Sequence, residues 1–464
     1  MKRVLIIAYA YPPRPSAGSP RPGGLAKYLP EFGWEPMVLT PELPVGKRPA
    51  ARVIETGDRD ILSELKRKLG MDGNRGLHEQ FNLQISSTPR SDLLHTKVIG
   101  KVKSLLTYPD PTKGWVPFAK QALNEFAKRE RVDAVISTSP PISSHLIARE
   151  AKKLFPRCVW VADFRDLWTQ NLAARQTPLL GFLERRLERK TLSAADALVT
   201  VSRIWAERLR SRHPQKSVYY VANGFDPDDF MQSDAGVTKS FSITYTGQLY
   251  QGKRDPSMLF DVLQGLISAG ILSRSDVAVH FYGPMEPWLP ALIARYGLTD
   301  IAHIHGSIAR DEALRIQSES QVLLLLAWSD PRETGQHTGK VFEYMGARRP
   351  ILAVGGVPGA LTELLEETQT GIHATSKSQL REFLVAAYGD FKRDGRVAYT
   401  GNKQAIARYT HREMASKFAS VLDSLREKGV TQTLKQSWAN DTDSESVDTQ
   451  VRNHPSSTVA RLSS

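Results

Sequence analysis

The stretch Thr334–Val354, TGQHTGKVFEYMGARRPILAV, contains a glycine-rich polar loop, a short helical run and an apolar strand, in that order. Small side chains leave the loop backbone open, and the free N–H groups and dipole of a helix N-terminus can hold a phosphate without a metal. Glu343, one turn inside the helix, could reach a sugar hydroxyl of the same ligand. The combination predicts a phosphate site in an α/β domain, although each part alone is also typical of an ordinary surface loop and amphipathic helix.

The composition narrows the class of protein. The chain has 464 residues, which is enough for two or three domains. Its content of 41% hydrophobic and 24% charged residues is typical of a globular protein. Cys158 is the one cysteine, which excludes a disulfide framework and a cysteine-ligated zinc site and makes a reducing cytoplasm the simplest setting. The net charge of +13 suits nucleic acid, an anionic membrane surface or phosphorylated small ligands. No nucleic-acid motif is present, which favours the last two.

Strand-length apolar runs alternate with helical segments along the chain, which predicts an α/β fold with parallel sheets. The run 4–8 is too short for a signal peptide and is predicted as the first strand. Proline and glycine in 10–24 predict a loop, with a helix only from about Leu25 to Phe32. We predict two Rossmann-like domains facing a cleft, with the following divisions: residues 1–228, a linker at 229–239, residues 240–405, a helix at 406–428 packing back on the first domain, and a disordered tail at 429–464.

Several predicted strands of the second half end in loops that contain glycine. Gly247, Gly283 and Gly306 each follow such a strand, and Lys253 and Arg254 carry positive charge close to the first of them. The carboxyl ends of parallel strands meet at one edge of a sheet, where ligands of open α/β sheets bind. The sequence therefore predicts a nucleotide-sized crevice that faces the first domain.

A charged cluster in the first half is a second candidate. Asp163, Arg165 and Asp166 follow an apolar strand, and such groups are costly to bury, so we predict that they face the cleft. A salt-bridge cluster that holds the loop is the alternative. His145 is predicted in the first turn of a helix near the same cleft, although a lone histidine is more often structural. The segments 61–69 and 93–106 are basic and amphipathic, which suits either an anionic membrane surface or solvated helices that pack on the core.

Taken in order, these motifs resemble a known family. Gly247-x-Leu249 with Lys253-Arg254, Tyr282-Gly283, His305-Gly306 and above all the run 339–346 with Pro350-Ile351 resemble the donor-binding half of glycosyltransferase family 4, which has the GT-B fold. The segments 11–13, 23–29, 139–141 and 163–168 are similar to the acceptor half of a bacterial cell-surface polysaccharide branch. The resemblance spans residues 4–428.

The resemblance implies retaining transfer of a sugar from a nucleotide-sugar, without a metal or other cofactor, to a glycan or lipid-linked acceptor. The protein would be cytoplasmic, with the inner membrane surface as a further partner and no role for nucleic acid. Glu343 would bind the ribose, and Lys253 or Arg254 the diphosphate. The predicted catalytic residues are Lys253, Arg254, Asp163, Arg165, Asp166 and His145. The predicted donor-binding residues are Gly247, Gly283, Gly306, Ser307, Thr334, Gly335, Thr338, Gly339, Lys340 and Glu343. The predicted acceptor-binding residues are Gly18, Ser19, Arg21, Gly23 and Gly24.

One position departs from the family pattern. Many members carry an earlier glutamate that approaches the donor sugar, and that position here is Gly335, with Glu333 close but out of register. The backbone of 334–338 could hold the sugar instead. A protein that binds a nucleotide-sugar without catalysis is therefore one alternative. An epimerase or phosphorylase of the same fold, and binding of nucleic acid through the net charge, are the others.

Overall fold

The structure is a computed structural model that describes residues 1–46, 50–61, 63–64, 107–171, 178–230, 236–328 and 330–428. The predicted basic helix 93–106, most of the one at 61–69, and the predicted disordered tail 429–464 lie outside these residues. No helix among the described residues is both long and apolar enough to span a membrane.

The first half of the chain forms a seven-stranded parallel sheet with the strand order β3-β2-β1-β4-β5-β6-β7. Its strands are β1 Lys2–Ile7, β2 Trp34–Pro41, β3 Arg52–Thr56, β4 Ala134–Ser139, β5 Val159–Phe164, β6 Ala197–Thr200 and β7 Ser217–Tyr220. The helices are α1 Pro20–Tyr28, α2 Trp115–Arg129, α3 Ser143–Leu154, α4 Pro178–Leu192 and α5 Arg203–Arg212, with 3-10 turns at Leu29–Phe32 and Pro227–Phe230.

The second half forms a six-stranded parallel sheet with the order β10-β9-β8-β11-β12-β13. Its strands are β8 Phe241–Thr246, β9 Val277–Tyr282, β10 Ala302–Gly306, β11 Val322–Leu326, β12 Ile351–Val354 and β13 Gly371–Ala374. The helices are α6 Ser257–Ser268, α7 Leu289–Arg295, α8 Arg310–Glu319, α9 Gly339–Ala347, α10 Ala360–Thr368, α11 Lys377–Asp394 and α12 Lys403–Ala407.

Central strands are apolar because helices cover both faces of each sheet. All residues of β4, β5 and β11 are buried, which is the pattern of parallel sheets rather than of sheets with one wet face. The prediction of two Rossmann-like parallel sheets facing a cleft is confirmed. All carboxyl ends of one sheet lie on one edge, so the loops after those ends are brought together.

The start of α1 differs from the prediction. The helix begins at Pro20 rather than near Leu25. Proline is compatible with the first turn because the N–H groups there have no partner within the helix. A Cβ on Gly24 would lie 2.5 Å from the His411 ring, so this glycine lets α1 approach the C-terminal part of the chain.

The chain crosses between the two sheets twice, and the two crossings touch. Phe225 pairs with Thr410 in an isolated bridge, and the His411 amide donates to the Phe225 carbonyl at 2.8 Å. Residues 411–428 are helical, and Phe418 and Leu422 are fully buried in the same core as β1 of the first sheet. The predicted domain boundaries remain predictions, with β7 ending at 220 and β8 beginning at 241.

Candidate functional site

The N-terminus of α9 presents unused hydrogen-bonding groups toward the carboxyl edge of the second sheet. Thr338, the residue before the helix, has an extended backbone, and its side chain caps no helical N–H. The Thr338 hydroxyl is also buried and has no partner among the described residues. A buried hydroxyl without a partner is costly, and it lies beside the free N–H groups of the first helical turn. These donors can bind an anion.

Lys340 places a positive charge at the same helix end. Its Nζ donates to the Tyr245 hydroxyl at 3.1 Å and lies 4.6 Å from the centre of the Tyr245 ring. Burial, and then the nearby Arg254 guanidinium, lower the pKa of Lys340 to about 7, against the opposing effect of Glu343. An ammonium group that is costly to keep charged is typical of a site that receives an anion.

Only glycine fits at position 247, where the Lys340 side chain passes over the end of β8. Gly247 has a φ of +119°, and a Cβ at this position would lie 2.2 Å from Lys340 Cε. Gly283 has a φ of +154°, and a Cβ there would lie 2.3 Å from the Gly247 carbonyl oxygen. The Gly283 amide in turn donates to the Gly306 carbonyl at 2.8 Å. The predicted donor glycines thus lie against one another, while Ser307 follows as an exposed residue.

Two further cations lie on the β8–α6 loop. Arg254 donates to the Gln248 carbonyl at 3.3 Å and packs over the Tyr250 ring. Lys253 is exposed, with Nζ 5.2 Å from the centre of the Trp328 ring. Of the two, Arg254 contributes to the lowered pKa of Lys340.

Glu343 is held by an arginine that the sequence analysis did not single out. Arg310, at the start of α8, donates to Glu343 Oε1, and its other terminal nitrogen donates to Asp229 Oδ2 at 2.9 Å. Asp229 lies in the crossing between the sheets. The carboxylate predicted to bind ribose is thus connected through one guanidinium to the crossing segment.

The loop before α9 contacts the first domain. A Cβ on Gly335 would lie 2.3 Å from Trp205 Cδ1, so the tryptophan of α5 fills the space that a side chain at 335 would need. Trp205 Nε1 donates to Glu333 Oε1 at 2.9 Å, and Arg208 lies 3.6 Å from the same oxygen. The Thr334 carbonyl is already used by the Ala360 amide at 2.8 Å. A side chain at position 335 has no room beside Trp205, and one acceptor position of the Thr334 carbonyl is used within the chain, while donor binding by the backbone of these two residues stays a prediction.

In the first domain, Asp163 is buried inside a network of internal partners. Arg21 donates to both of its carboxylate oxygens at 2.9 and 2.8 Å, and the Thr138 hydroxyl donates at 2.8 Å. Arg21 also donates to the Val221 and Ala222 carbonyls. The arrangement ties α1 to the ends of β5 and β7, which corresponds to the salt-bridge alternative rather than to a cleft-facing carboxylate.

His145 does not face the cleft. It is fully buried, Nδ1 lies 2.8 Å from the Ser137 hydroxyl, and Nε2 lies 2.9 Å from the Ser139 hydroxyl. Burial lowers the pKa of His145 to about 3, so the ring is neutral at physiological pH. Both ring nitrogens are engaged within the protein, and neither is placed to act on a substrate.

Arg165 and Gly18 meet beside the cleft. A Cβ on Gly18 would lie 2.2 Å from Arg165 Nη1, and the guanidinium also donates to the Thr138 hydroxyl at 3.2 Å and to the Pro140 carbonyl. Burial lowers the pKa of Arg165 below its ordinary value, although Asp163 and Asp166 oppose this effect. Arg165, a predicted catalytic residue, thus lies against Gly18, a predicted acceptor residue, as Asp163 lies against Arg21.

The other predicted acceptor residues pack inside the domain. The buried Ser19 hydroxyl donates to the Arg14 carbonyl at 2.7 Å, and Arg21 is bound to Asp163. A Cβ on Gly23 would lie 2.8 Å from Pro12, and Gly24 packs on the 411–428 segment as described. Packing inside the domain therefore accounts for the residue types at these four positions.

A cavity of about 120 Å³ lies between the two domains. Its lining comes from the loop after β5, from α5, and from the loops after β11 and before α9: Asp166, Leu167, Gln170, Asn171, Trp205, Trp328, Glu333 and Gln336. Burial raises the pKa of Asp166, against the neighbouring Arg165. Asp166 thus lies in the cleft as predicted. Trp205 of the first domain and Glu333 of the second line the same cavity.

Trp205 and Arg310 are contacts that the sequence analysis missed. α5 begins after the end of β6, with Ser202 accepting from the Trp205 amide, and α8 begins shortly after the end of β10. Both residues therefore follow strands, and they lie at the carboxyl edges of the sheets, where ligands of open α/β sheets bind. Their position shortly after a strand end is the signal that could have found them, although the rule that selected Asp166 also required a charged side chain, which Trp205 lacks.

Comparison with known proteins finds a match to one family model and several solved structures with a similar fold. Residues 24–229 match the model of Glycosyltransferase Family 4, whereas no curated protein matches the chain. Similar solved structures include Anabaena HepE in complex with UDP and glucose, with 14% identity and a TM-score of 0.59 over 91% of this chain and 100% of that one.

Two further structures extend the comparison. A glycosyltransferase from Rickettsia africae has 13% identity and a TM-score of 0.55, covering 91% of this chain and 98% of its own. Sucrose-phosphate synthase from Thermosynechococcus elongatus has 14% identity and a TM-score of 0.53, covering 95% and 100%. These matches confirm the GT-B fold and the resemblance to family 4.

Proposed function

We propose, from the premise that the chain is a GT-B glycosyltransferase resembling family 4, that it transfers a sugar from a nucleotide-sugar donor with retention of configuration. The observation that carries the proposal is the Lys340 ammonium, partly buried at the N-terminus of α9 beside Arg254 and the unpartnered Thr338 hydroxyl. These groups form a receptor for the diphosphate of the donor.

The chemistry that these residues support is stabilisation of the leaving group. As the bond between the anomeric carbon and the phosphate oxygen breaks, negative charge develops on the diphosphate. Lys340, Arg254 and the amides of the first turn of α9 lie at the same helix end, so they can stabilise this charge and lower the barrier. We further propose that Glu343 binds the ribose through the oxygen that Arg310 leaves free.

Substituting Lys340 tests the diphosphate site. Lys340→Met keeps the aliphatic length of the side chain and removes the charge, and it should weaken binding of a nucleoside diphosphate by about 10- to 100-fold, the range expected for a hydrogen bond to a charged group. UDP, GDP, ADP and TDP would be compared by isothermal titration. Lys403→Met, at an exposed position of α12, is the matched control. Equal affinity of the Lys340→Met variant and the unaltered chain would refute the site.

We propose that the reaction needs no metal ion. Among the described residues, no group of three or more histidine, cysteine, aspartate or glutamate side chains is arranged to hold a metal. The cations at the site can neutralise the diphosphate in its place. Turnover of the nucleotide-sugar, including slow hydrolysis, should therefore be the same in excess EDTA as in added Mg²⁺ or Mn²⁺. Loss of turnover in EDTA with recovery on adding metal would contradict this.

We propose a lipid-linked acceptor in bacterial cell-surface polysaccharide synthesis, reached at the inner membrane surface. One face of α4 supports the membrane contact, because Leu179 and Phe182 are 70% and 52% exposed and three exposed arginines, Arg185, Arg186 and Arg189, follow on the same helix. Apolar residues beside cations suit an anionic lipid surface.

Vesicle binding tests this surface. The chain should co-sediment with vesicles that contain phosphatidylglycerol and not with pure phosphatidylcholine, and a Leu179→Ser, Phe182→Ser double variant should lose most of the binding. Val385→Ser, which alters an exposed apolar residue of the other domain, is the control. Undiminished binding by the double variant would show that α4 is not the contact.

A further inference from the structure

A cluster of three histidines lies on two neighbouring strands at the outer edge of the second sheet. His280 is on β9, and His303 and His305 are on β10, the edge strand, where His303 is directly opposite His280 in the register. The ring centre of His280 lies 5.2 Å from that of His305 and 5.3 Å from that of His303. The diphosphate site described above uses none of these rings.

An irregularity in β10 determines where the His305 ring lies. The register between β9 and β10 shifts between Ile304 and Gly306, and such a bulge changes the direction of the side chain within it. The His305 ring stacks on Tyr282, with ring centres 4.2 Å apart and 8° between the planes. The stacking holds the plane of the His305 ring and therefore the direction of its Nε2 atom.

Two ring nitrogens converge within this cluster. His280 Nδ1 lies 3.0 Å from His305 Nε2, so one ring can donate a hydrogen bond to the other. A metal ion with bonds of about 2.0–2.1 Å to nitrogen holds two neighbouring ligands about 2.8–3.0 Å apart in a square-planar or octahedral site, and about 3.3–3.4 Å apart in a tetrahedral one. The observed distance therefore matches the geometry that Cu²⁺ and Ni²⁺ prefer over that of Zn²⁺.

The surroundings of the two nitrogens leave room for other ligands of an ion. His305 is exposed and His280 is half-buried, so water can reach the pair. The His303 ring stacks on the His280 ring with 26° between the planes, and among the described residues no group of three potential ligands is arranged around one point. An ion at this place would thus have two protein ligands and complete its coordination with water.

We propose that His280 Nδ1 and His305 Nε2 bind one divalent transition-metal ion, and that Cu²⁺ binds more tightly than Ni²⁺ or Zn²⁺. Imidazole suits all three ions, and copper stands highest in their general order of affinity. The ring that donates in the free protein moves its hydrogen to its other nitrogen, so both facing nitrogens offer a lone pair and no net proton is released. The site is separate from the proposed transfer reaction, and its ions differ from Mg²⁺ and Mn²⁺, which prefer oxygen ligands.

The test is isothermal titration of the full chain with Cu²⁺, Ni²⁺, Zn²⁺ and Mg²⁺. His280→Ala and His305→Ala should each weaken the tightest Cu²⁺ site by at least about tenfold, since even residues that only support a metal ligand are worth about 10- to 100-fold. Electron paramagnetic resonance of the Cu²⁺ complex should show coupling to two imidazole nitrogens in the unaltered chain and to fewer in either variant.

His303→Ala is the matched control, because it removes a ring from the same cluster whose nitrogens do not meet the other two. It should leave the affinity for Cu²⁺ within about threefold. Undiminished Cu²⁺ binding by His305→Ala, whose exposed position makes it the variant safest for folding, would overturn the site. An equal loss in His303→Ala, or Zn²⁺ binding more tightly than Cu²⁺, would overturn the assignment to two residues at neighbouring positions. None of these outcomes bears on nucleotide binding at Lys340.

Discussion

Asp163 and His145 at the carboxyl edge of the first sheet have several hydrogen-bond partners within the protein, whereas Lys340 and Thr338 at the edge of the second sheet have few or none among the described residues. On the first sheet, Asp163 is bound by Arg21 and Thr138, and both nitrogens of His145 have serine partners. On the second, Lys340 has one hydroxyl partner and the Thr338 hydroxyl has none among the described residues. Buried groups with internal partners stabilise the loops, whereas buried groups without them mark a place for a ligand.

The largest expected effect is a loss of stability at the carboxyl edge of the first sheet, where Asp163 is paired with Arg21. Asp163→Asn leaves Arg21 buried and without its counter-charge, which should lower the free energy of unfolding by about 3–5 kcal/mol. Urea unfolding measures this loss. Asp300→Asn removes a partner of Arg274 in an exposed ion pair and should leave the unfolding midpoint nearly unchanged. If Asp163→Asn were as stable as the unaltered chain, the distinction between the two edges would not hold.

The next effect is the pH dependence of binding at the second edge. The pKa of Lys340 is about 7 in the free protein, and a bound diphosphate favours the charged form. Binding above pH 7 therefore takes up a proton, and affinity should fall about tenfold per pH unit from pH 7 to 8.5, to the extent that only the charged lysine binds. Titration in buffers of different ionisation enthalpy would count the proton. Affinity that is flat over this range would remove Lys340 from the diphosphate contact.

A smaller effect concerns stability at the same lysine. Because the folded-state pKa lies below the unfolded value near 10.5, charging Lys340 costs stability below pH 10.5, fully so below pH 7. Lys340→Met should thus raise the ligand-free melting temperature by about 1–3 °C at pH 6, and by less at pH 9. Differential scanning calorimetry at both pH values checks the sign. A lower melting temperature would mean that Lys340 is a structural residue like Asp163.

The smallest effect tests Arg310 as a positioning residue. The Arg310 side chain is 46% exposed, so its pairing with Glu343 is weak in free energy, and its role is to fix one carboxylate oxygen. Arg310→Gln should weaken binding of a ribonucleoside diphosphate by about two- to fivefold. The loss should vanish with the 2′,3′-dideoxy analogue, which has no hydroxyl for Glu343. An equal loss for both ligands would point to a general effect on the loop instead.

The fold was predictable because it follows from local patterns. Apolar runs such as 322–326 mark strands buried on both faces, and their alternation with helices specifies parallel sheets. The position of the ligand edge follows from the same alternation, so the prediction of a site near Gly247, Lys340 and Glu343 needed no tertiary information.

The partners of the site residues were not predictable in this way. Asp163 is bound by Arg21, 142 residues away in the chain, and charge alone cannot tell an internal partner from a substrate. The start of α1 was missed because Pro20 and Pro22 suggested a loop, although both lie in the first turn. Trp205 against Gly335 depends on how the two domains meet, which no local pattern contains.

Because of the helix at 411–428, the first domain cannot complete its folding until the end of the second domain has been synthesised. Phe418 and Leu422 belong to the same core as Val4, so the first domain lacks part of its interior until the end of the second has been made. At about 5–20 residues per second, that is a delay of roughly 10–40 s after β7 leaves the ribosome. During this time the apolar surface that Phe418 and Leu422 cover in the complete protein is exposed on the first domain. A fragment ending near residue 228 would expose that surface permanently.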